Sequence, residues 1–171
     1  LDLVIDKLRP EEPQLAEELC LQKWANLGDI KELEKCFDAY LDRFDNVPNS
    51  NRLTAASLKH DLAKYDEALT IAERVFETEA SNFSAAEIIF SCAVNLQRAK
   101  TALRIASVMV DEAERLNQPE AVVVDYKVKQ LMGTALVGLY PETLGIWDEL
   151  LPHFEKYPEM LTANVFACVL R

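Results

Sequence analysis

The sequence predicts an all-α fold of stacked antiparallel helix pairs, and three observations favour it. A helix–turn–helix pattern recurs, and its second-helix anchors are 35, 34 and 41 residues apart, close to the ~34-residue period of stacked helical repeats. The chain has only four Gly and seven Pro, which disfavours the many turns of an all-β fold. Small residues recur where paired helices must approach closely. The anchors are Leu33, Ala68, Ala102 and Thr143, and the small residues are Ala56, Ala68, Ala72, Ala102 and Ala106.

The first 45 residues predict a short helix followed by one helix pair. Residues 1–9 form the short helix, which prolines interrupt, and a helix over 13–26 follows with Pro in its first turn. Gly28 suits the left-handed conformation that ends a helix, and Asp29 suits the cap of the next helix. That helix runs over about 30–44, where apolar residues recur at helical spacing.

Further helices follow a Pro- and Asn-rich loop at 46–51. Pro152 ends or kinks the penultimate helix, and Pro158 opens the last one. The seven extra residues before the last anchor predict that the helices on either side of residue 117 are each about one turn longer. The predicted helices are 50–62, 66–79, 84–96, 99–116, 119–137, 141–152 and one from 158 to the end. We expect one domain over 1–171 with flanking helices and four pairs: 11–45, 49–80, 83–117 and 119–157.

Residues 65–69, Tyr-Asp-Glu-Ala-Leu, resemble the tetratricopeptide repeat family. In that family an aromatic residue and two polar residues precede a small one, and a second small or aromatic residue follows four positions later. Ala68 and Ala72 occupy those positions, whereas Leu33 and Thr143 replace the Ala in the first and fourth units. The other units match through Gly28 and Phe37, through Ala102 and Ala106, and through Gly138, Tyr140 and Trp147. The resemblance covers about 11–157 in degenerate units and implies a right-handed α-solenoid that binds other proteins.

The chain is acidic throughout, with a net charge of -11. Residues 1–50 carry 12 acidic and six basic groups, and only 51–100 is nearly neutral. Such a surface repels phosphate backbones and anionic lipids and favours a basic partner. No apolar run approaches the ~20 residues of a membrane helix, so we expect no membrane insertion. The chain starts without Met, and we interpret it as a fragment of a longer protein.

Catalytic motifs are missing from the sequence, and we expect neither enzymatic activity nor a cofactor or metal. The chain has two histidines, and we expect His60 and its neighbour Asp61 to point to different faces of a helix. The four cysteines form no CxxC pair, so we expect reduced thiols buried in helix cores. Reduced thiols indicate the cytoplasm, the nucleus or the mitochondrial matrix. The cysteines are Cys20, Cys36, Cys92 and Cys168.

The resemblance favours a protein-interaction scaffold whose first helices line a concave groove. An alternative is a single-stranded RNA reader of the pentatricopeptide type in an organelle, with Arg52, Lys59 and His60 as contacts. A third option is a packing module inside a larger assembly. Polar positions of the first helices are the candidate partner-binding residues: Arg52, Lys59, Asn95, Asp125 and Lys129.

Overall fold

The computed structural model describes residues 1–160, and helices account for most of them. Within this part of the chain there are nine α-helices, one short 3₁₀ helix and no strand, so the predicted all-α class is confirmed. The first five α-helices are α1 Asp2–Leu8, α2 Pro13–Leu27, α3 Ile30–Arg43, α4 Asn49–Asp61 and α5 Tyr65–Thr78. The others are α6 Phe83–Asn95, α7 Ala99–Arg115, α8 Glu120–Val137 and α9 Tyr140–Phe154, followed by the 3₁₀ helix Pro158–Met160.

The predicted helices are present, and most of their ends differ by one or two residues. Pro152 does not end the helix that contains it, because α9 continues to Phe154. A helix begins at Pro158 as predicted, and its three described residues are 3₁₀. The rest of that predicted helix, 161–171, lies outside the described residues. None of the helices within 1–160 has both the length and the apolar content needed to cross a bilayer.

The fold divides into two compact units, and the division falls inside α5. Unit 1 is Leu1–Ile71, where α1 packs on α2, α2 on α3 and α3 on α4. Unit 2 begins at Ala72, and α6 to α9 pack there in chain order, each on the next. The core of unit 1 contains Leu21, Phe37, Tyr40, Val47 and Ala55. A core cluster of unit 2 contains Val124, Val128, Leu131, Leu150 and Phe154.

One turn geometry occurs five times within residues 1–160, and four of these turns recur at the spacing seen in the sequence, whereas the fifth, at Asn117, lies between α7 and α8. Gly28, Ala63, Gln97 and Gly138 all have left-handed backbones, with φ between 57° and 86°. After each of them, the next N–H donates to the carbonyl five residues back, at 2.8 to 3.3 Å, which is the bond of a Schellman helix end. These turns are 35, 34 and 41 residues apart, and each lies five residues before an anchor. Three of the four anchors are buried, and Leu33 is partly buried. The recurring pattern in the sequence therefore corresponds to a recurring turn.

The helices around residue 117 are long, as predicted. Helix α7 has 17 residues against 14 in α3 and in α5, and α8 has 18 against 13 in α4 and in α6. These two helices approach closely at Gly133, where an added Cβ would lie 2.8 Å from the Cα of Leu103. Only Gly allows this approach, because real Cβ atoms are essentially never found so close to another backbone.

Candidate functional site

A cleft of about 330 Å³ opens in unit 1 between α2, α3 and α4. Its floor is apolar, and Leu21 and Phe37 in that floor are almost fully buried. Its rim carries one carboxylate, two amides and one hydroxyl. The floor residues are Leu21, Ala25, Leu33 and Phe37, and the rim residues are Glu18, Gln22, Asn51 and Thr54. This volume lies at the lower end of the range for sites that accept a small ligand or one large side chain.

A buried tyrosine holds the polar rim of the cleft in place. Tyr40 on α3 is fully buried, and its hydroxyl donates to Oε1 of Glu18 on α2 at 2.7 Å. The same hydroxyl accepts from the amides of Gln14 at 3.3 Å and Asn51 at 3.5 Å. Burial, followed by the bond to Glu18, raises the pKa of Tyr40. The phenol therefore stays protonated at neutral pH and orders side chains from α2 and α4 together.

A second cavity of about 530 Å³ lies beside the first, also within unit 1. Glu18 lines both cavities, so its carboxylate stands between them. The remaining lining residues of the second cavity are Glu12, Pro13, Gln14, Leu15 and Phe44. None of the residues named as lining the two cavities is basic. The surface is therefore acidic and apolar, which suits a cationic, partly apolar ligand.

The structure places Lys59 in the interior of unit 1. Only 1% of this residue is exposed, and its Nζ lies 2.8 Å from Glu34, 2.8 Å from Asp38 and 2.7 Å from Glu67. Burial alone would lower the pKa of Lys59, but hydrogen bonds to these three carboxylates outweigh it and raise the pKa. Hydrogen bonds from Lys59 and then Lys64 lower the pKa of Glu34. Lys59 is thus a charged tie between α3, α4 and the start of α5.

The other basic groups of α4 also contact the protein itself. Arg52 donates from Nε to the carbonyl of Val47 at 3.2 Å and from Nη2 to that of Asp45 at 2.8 Å, which fixes the loop before α4. His60 Nδ1 lies 3.4 Å from Oδ1 of Asp61, so the expectation that these neighbours point apart is wrong. Their Cβ atoms do diverge along the helix, but rotation about the side-chain bonds brings the two polar ends into contact.

The three remaining predicted residues lie on the first helices of unit 2. Asn95 is exposed, and its amide donates to the carbonyl of Ser91 on the same helix at 2.9 Å. Lys129 bonds to Asp125 one turn before it and to Glu87 on α6 at 3.0 Å. The ion pair between Lys129 and Glu87 therefore joins α6 to α8. The stacked rings of Phe83 and Tyr126, with centroids 5.3 Å apart, make a second contact between these helices.

Three aromatic residues, Tyr140, Trp147 and Trp24, differ in exposure. Tyr140 is half exposed. Trp147 packs on the core cluster of unit 2, with its ring centroid 5.5 Å from that of Phe154. Trp24 is partly buried, with Nζ of Lys23 4.2 Å from its ring centroid. Tyr140 is therefore the most accessible of the three.

Two of the three described cysteines depart from the expectation of buried thiols. Cys92 is buried as predicted, whereas Cys20 and Cys36 are only partly buried, so the prediction is wrong for these two. Their Sγ atoms lie 3.2 Å apart, joining α2 to α3. The sequence separation of 16 residues hides this pair because the helices are antiparallel and the intervening turn brings the two positions level. Cys168 lies outside the described residues.

These features define an all-α protein whose helices pack in chain order within two units, with a polar-rimmed apolar cleft in the first. Within 1–160, no group of three or more His, Cys, Asp or Glu side chains is placed to hold a metal ion. Comparison with family models, curated proteins and solved structures finds no match for the chain.

Proposed function

We propose that the chain is a non-catalytic protein-interaction scaffold that binds a segment of a partner protein through the first helices of its helix pairs. In unit 1 the contact surface is the cleft between α2, α3 and α4, with apolar residues of α2 and α3 as its floor. The ordered rim carries this proposal: a buried tyrosine fixes an acid and an amide on two different helices above an apolar floor. The tetratricopeptide-like pattern at 65–69 favours the same use of the first helices.

The chemistry of the cleft indicates what the partner segment contains. One large apolar side chain fits the floor, where its burial contributes roughly 1.5–3 kcal/mol. A Lys or Arg close to it in the partner reaches Glu18, and the amides of Gln22 and Asn51 can bond to the partner's backbone. Unit 1 carries 15 acidic and nine basic residues, so its field also attracts a basic segment.

The alternative of single-stranded RNA binding has less support from the same residues. Phosphates need accessible basic groups. Lys59 is surrounded by carboxylates, and the Arg52 guanidinium bonds to two carbonyls of its own loop. His60 contacts Asp61 and lies edge-on to Tyr65, with ring centroids 5.4 Å apart. All three groups that the RNA hypothesis needs are therefore engaged within unit 1.

Selection from a displayed random peptide library, with the full chain immobilised, tests the proposal. We expect enriched peptides to combine a large apolar residue with a nearby Lys or Arg. Thr54→Arg places a cation on the rim of the cleft and should weaken the selected peptides at least tenfold, or about 1.4 kcal/mol. Ser57→Arg makes the same change one turn further along α4, outside the cleft lining, and should alter the Kd less than about twofold.

The result that contradicts the proposed site is equal weakening by both substitutions, or by neither. Enrichment of acidic peptides would contradict the proposed partner chemistry. Both variants change exposed positions of one helix, so circular dichroism should show the same helix content as the parent chain.

A further inference from the structure

Cys20 and Cys36 are a thiol pair already positioned for bond formation. Their Sγ atoms are 3.2 Å apart, and closing a disulfide requires about 2.05 Å. The two residues lie on neighbouring antiparallel helices of one compact unit, α2 and α3, so a shift of about 1 Å suffices. Both side chains keep some exposure, and a small oxidant can reach them.

The surroundings of the pair favour a dithiol at rest. Burial and the contact with Cys20 raise the pKa of Cys36 to about 12, and the carboxylates of Glu17 and Glu32 add to this shift. Each of these acids lies about one turn before one of the cysteines on the same helix. The Cys36 thiol therefore stays protonated at neutral pH. A thiol with a high pKa is also a poor leaving group, so a disulfide formed here resists attack at the sulfur of Cys20.

We propose that Cys20 and Cys36 form an oxidisable dithiol, a modification site at which a peroxide closes a covalent link between α2 and α3. The Cys20 thiolate attacks one peroxide oxygen, the O–O bond breaks, and Cys20 becomes a sulfenic acid while hydroxide leaves. The Cys36 sulfur then attacks Cys20, the S–S bond forms and the S–O bond breaks. The Cys36 proton and a solvent proton convert the departing hydroxides to water, so two thiols and one hydrogen peroxide yield one disulfide and two waters.

The Cys20–Cys36 disulfide would restrain the floor of the cleft, because Leu21 directly follows Cys20 and Phe37 directly follows Cys36. It encloses a loop of about 15 residues that contains the Gly28 turn, which reduces the freedom of the unfolded chain. Oxidation therefore stabilises the α2–α3 pair. This inference does not depend on the proposed binding function.

The experiment treats the full folded chain with a small excess of hydrogen peroxide, followed by intact-mass measurement and tryptic mapping without reduction. The expected result is the loss of two hydrogens, with the tryptic peptides that carry Cys20 and Cys36 joined, and reversal by dithiothreitol. Cys20→Ser and Cys36→Ser should each abolish the link, whereas Cys168→Ser should leave it unchanged. Circular dichroism checks that the serine variants keep their helix content.

Four outcomes would overturn the proposal: a link from Cys20 or Cys36 to another cysteine, disulfide-linked dimers, single sulfinic acids without a link, or no loss of hydrogens. A metal ion retained on the two thiols in native mass spectra of the reduced chain would overturn it as well. The mapping of the unsubstituted chain needs no variant, so the test stands even if a serine substitution disturbs folding.

Discussion

At the scale of single residues, two helical glycines of unit 2 differ in what surrounds them. Gly133 in α8 faces the backbone of Leu103 in α7, and an added Cβ would come within 2.8 Å of it. Gly145 in α9 has nothing within 4 Å of the same added atom. Gly133 therefore allows α7 and α8 to pack closely, whereas Gly145 only lowers the helix propensity of α9.

We predict opposite effects when each of these glycines becomes alanine. Gly133→Ala forces α7 and α8 apart and should lower the free energy of unfolding by about 1–3 kcal/mol, despite a gain of about 1 kcal/mol in helix propensity. Gly145→Ala should raise it by about 0.5–1 kcal/mol. Urea unfolding followed by circular dichroism measures both. Stabilisation by both substitutions would show that α7 and α8 can separate freely.

Single residues were also where the sequence was least informative. Lys59 was a candidate contact because it lies among polar positions of α4, yet its carboxylate partners Glu34 and Asp38 come from 25 and 21 residues earlier. Periodicity within one helix cannot show such partners. Tyr40 lies in the 30–44 segment where apolar residues recur at helical spacing, and it is fully buried. Its hydroxyl needs a bonding partner when buried, and that requirement was the available signal for the polar rim.

At the scale of elements, the four recurring turns combine one backbone geometry with different residues. Two of them use Gly at the left-handed position, whereas Ala63 and Gln97 adopt it with φ of 58° and 57°. A residue with a Cβ loses roughly 1–2 kcal/mol in this conformation. The turns at Ala63 and Gln97 persist because the surrounding structure holds them, including the buried anchors Ala68 and Ala102.

Glycine at the exposed position 97 should therefore stabilise unit 2. We expect Gln97→Gly to raise the free energy of unfolding by about 0.5–1 kcal/mol, after allowing for the greater freedom of Gly in the unfolded chain. The reverse change at the matching position, Gly138→Ala, should lower it by about 1–2 kcal/mol. Thermal unfolding of the two variants against the parent gives the comparison. A loss of stability in Gln97→Gly would mean that the Gln side chain contributes more than the backbone strain costs.

Helix positions were the most predictable part of the fold. Gly28 ends α2 in the left-handed conformation, and Asp29 caps α3 by accepting from the N–H of Glu32 at 3.2 Å, as the sequence indicated. Such signals are local, so one sequence carries them. Of the two effects predicted for Pro152, ending the helix was wrong because a proline near a helix end removes few hydrogen bonds. Helix α9 ends only two residues later.

At the scale of the whole molecule, charge is the property with the widest consequence. The chain has 29 acidic against 18 basic residues, and its basic side chains in unit 1 include several that are bonded to carboxylates. Neither the division inside α5 nor the place of the cleft was visible in the sequence, because both depend on contacts among three or more helices. The predicted right-handed superhelix and the single domain stay predictions.

We predict that the chain does not bind single-stranded RNA at physiological salt. Its overall charge repels phosphates, and the candidate basic contacts of α4 are engaged elsewhere. Fluorescence anisotropy of a labelled RNA near 150 mM salt, repeated at lower salt, is the measurement, with a basic peptide from the library selection as the positive control. Sub-micromolar RNA binding would instead favour the pentatricopeptide-type function.

The extra length of α7 and α8 has a practical consequence. A rise of about 1.5 Å per residue carries the loop at 116–119 roughly one helical turn further from the turns at Gln97 and Gly138 than a pair of average length would reach. The exposed Leu116 and Asn117 lie in this loop, and extra residues there would leave the turns at Gly28, Ala63, Gln97 and Gly138 intact. An affinity tag inserted at this loop thus offers an anchoring point for surface measurements that leaves the sequence of the cleft-bearing unit untouched.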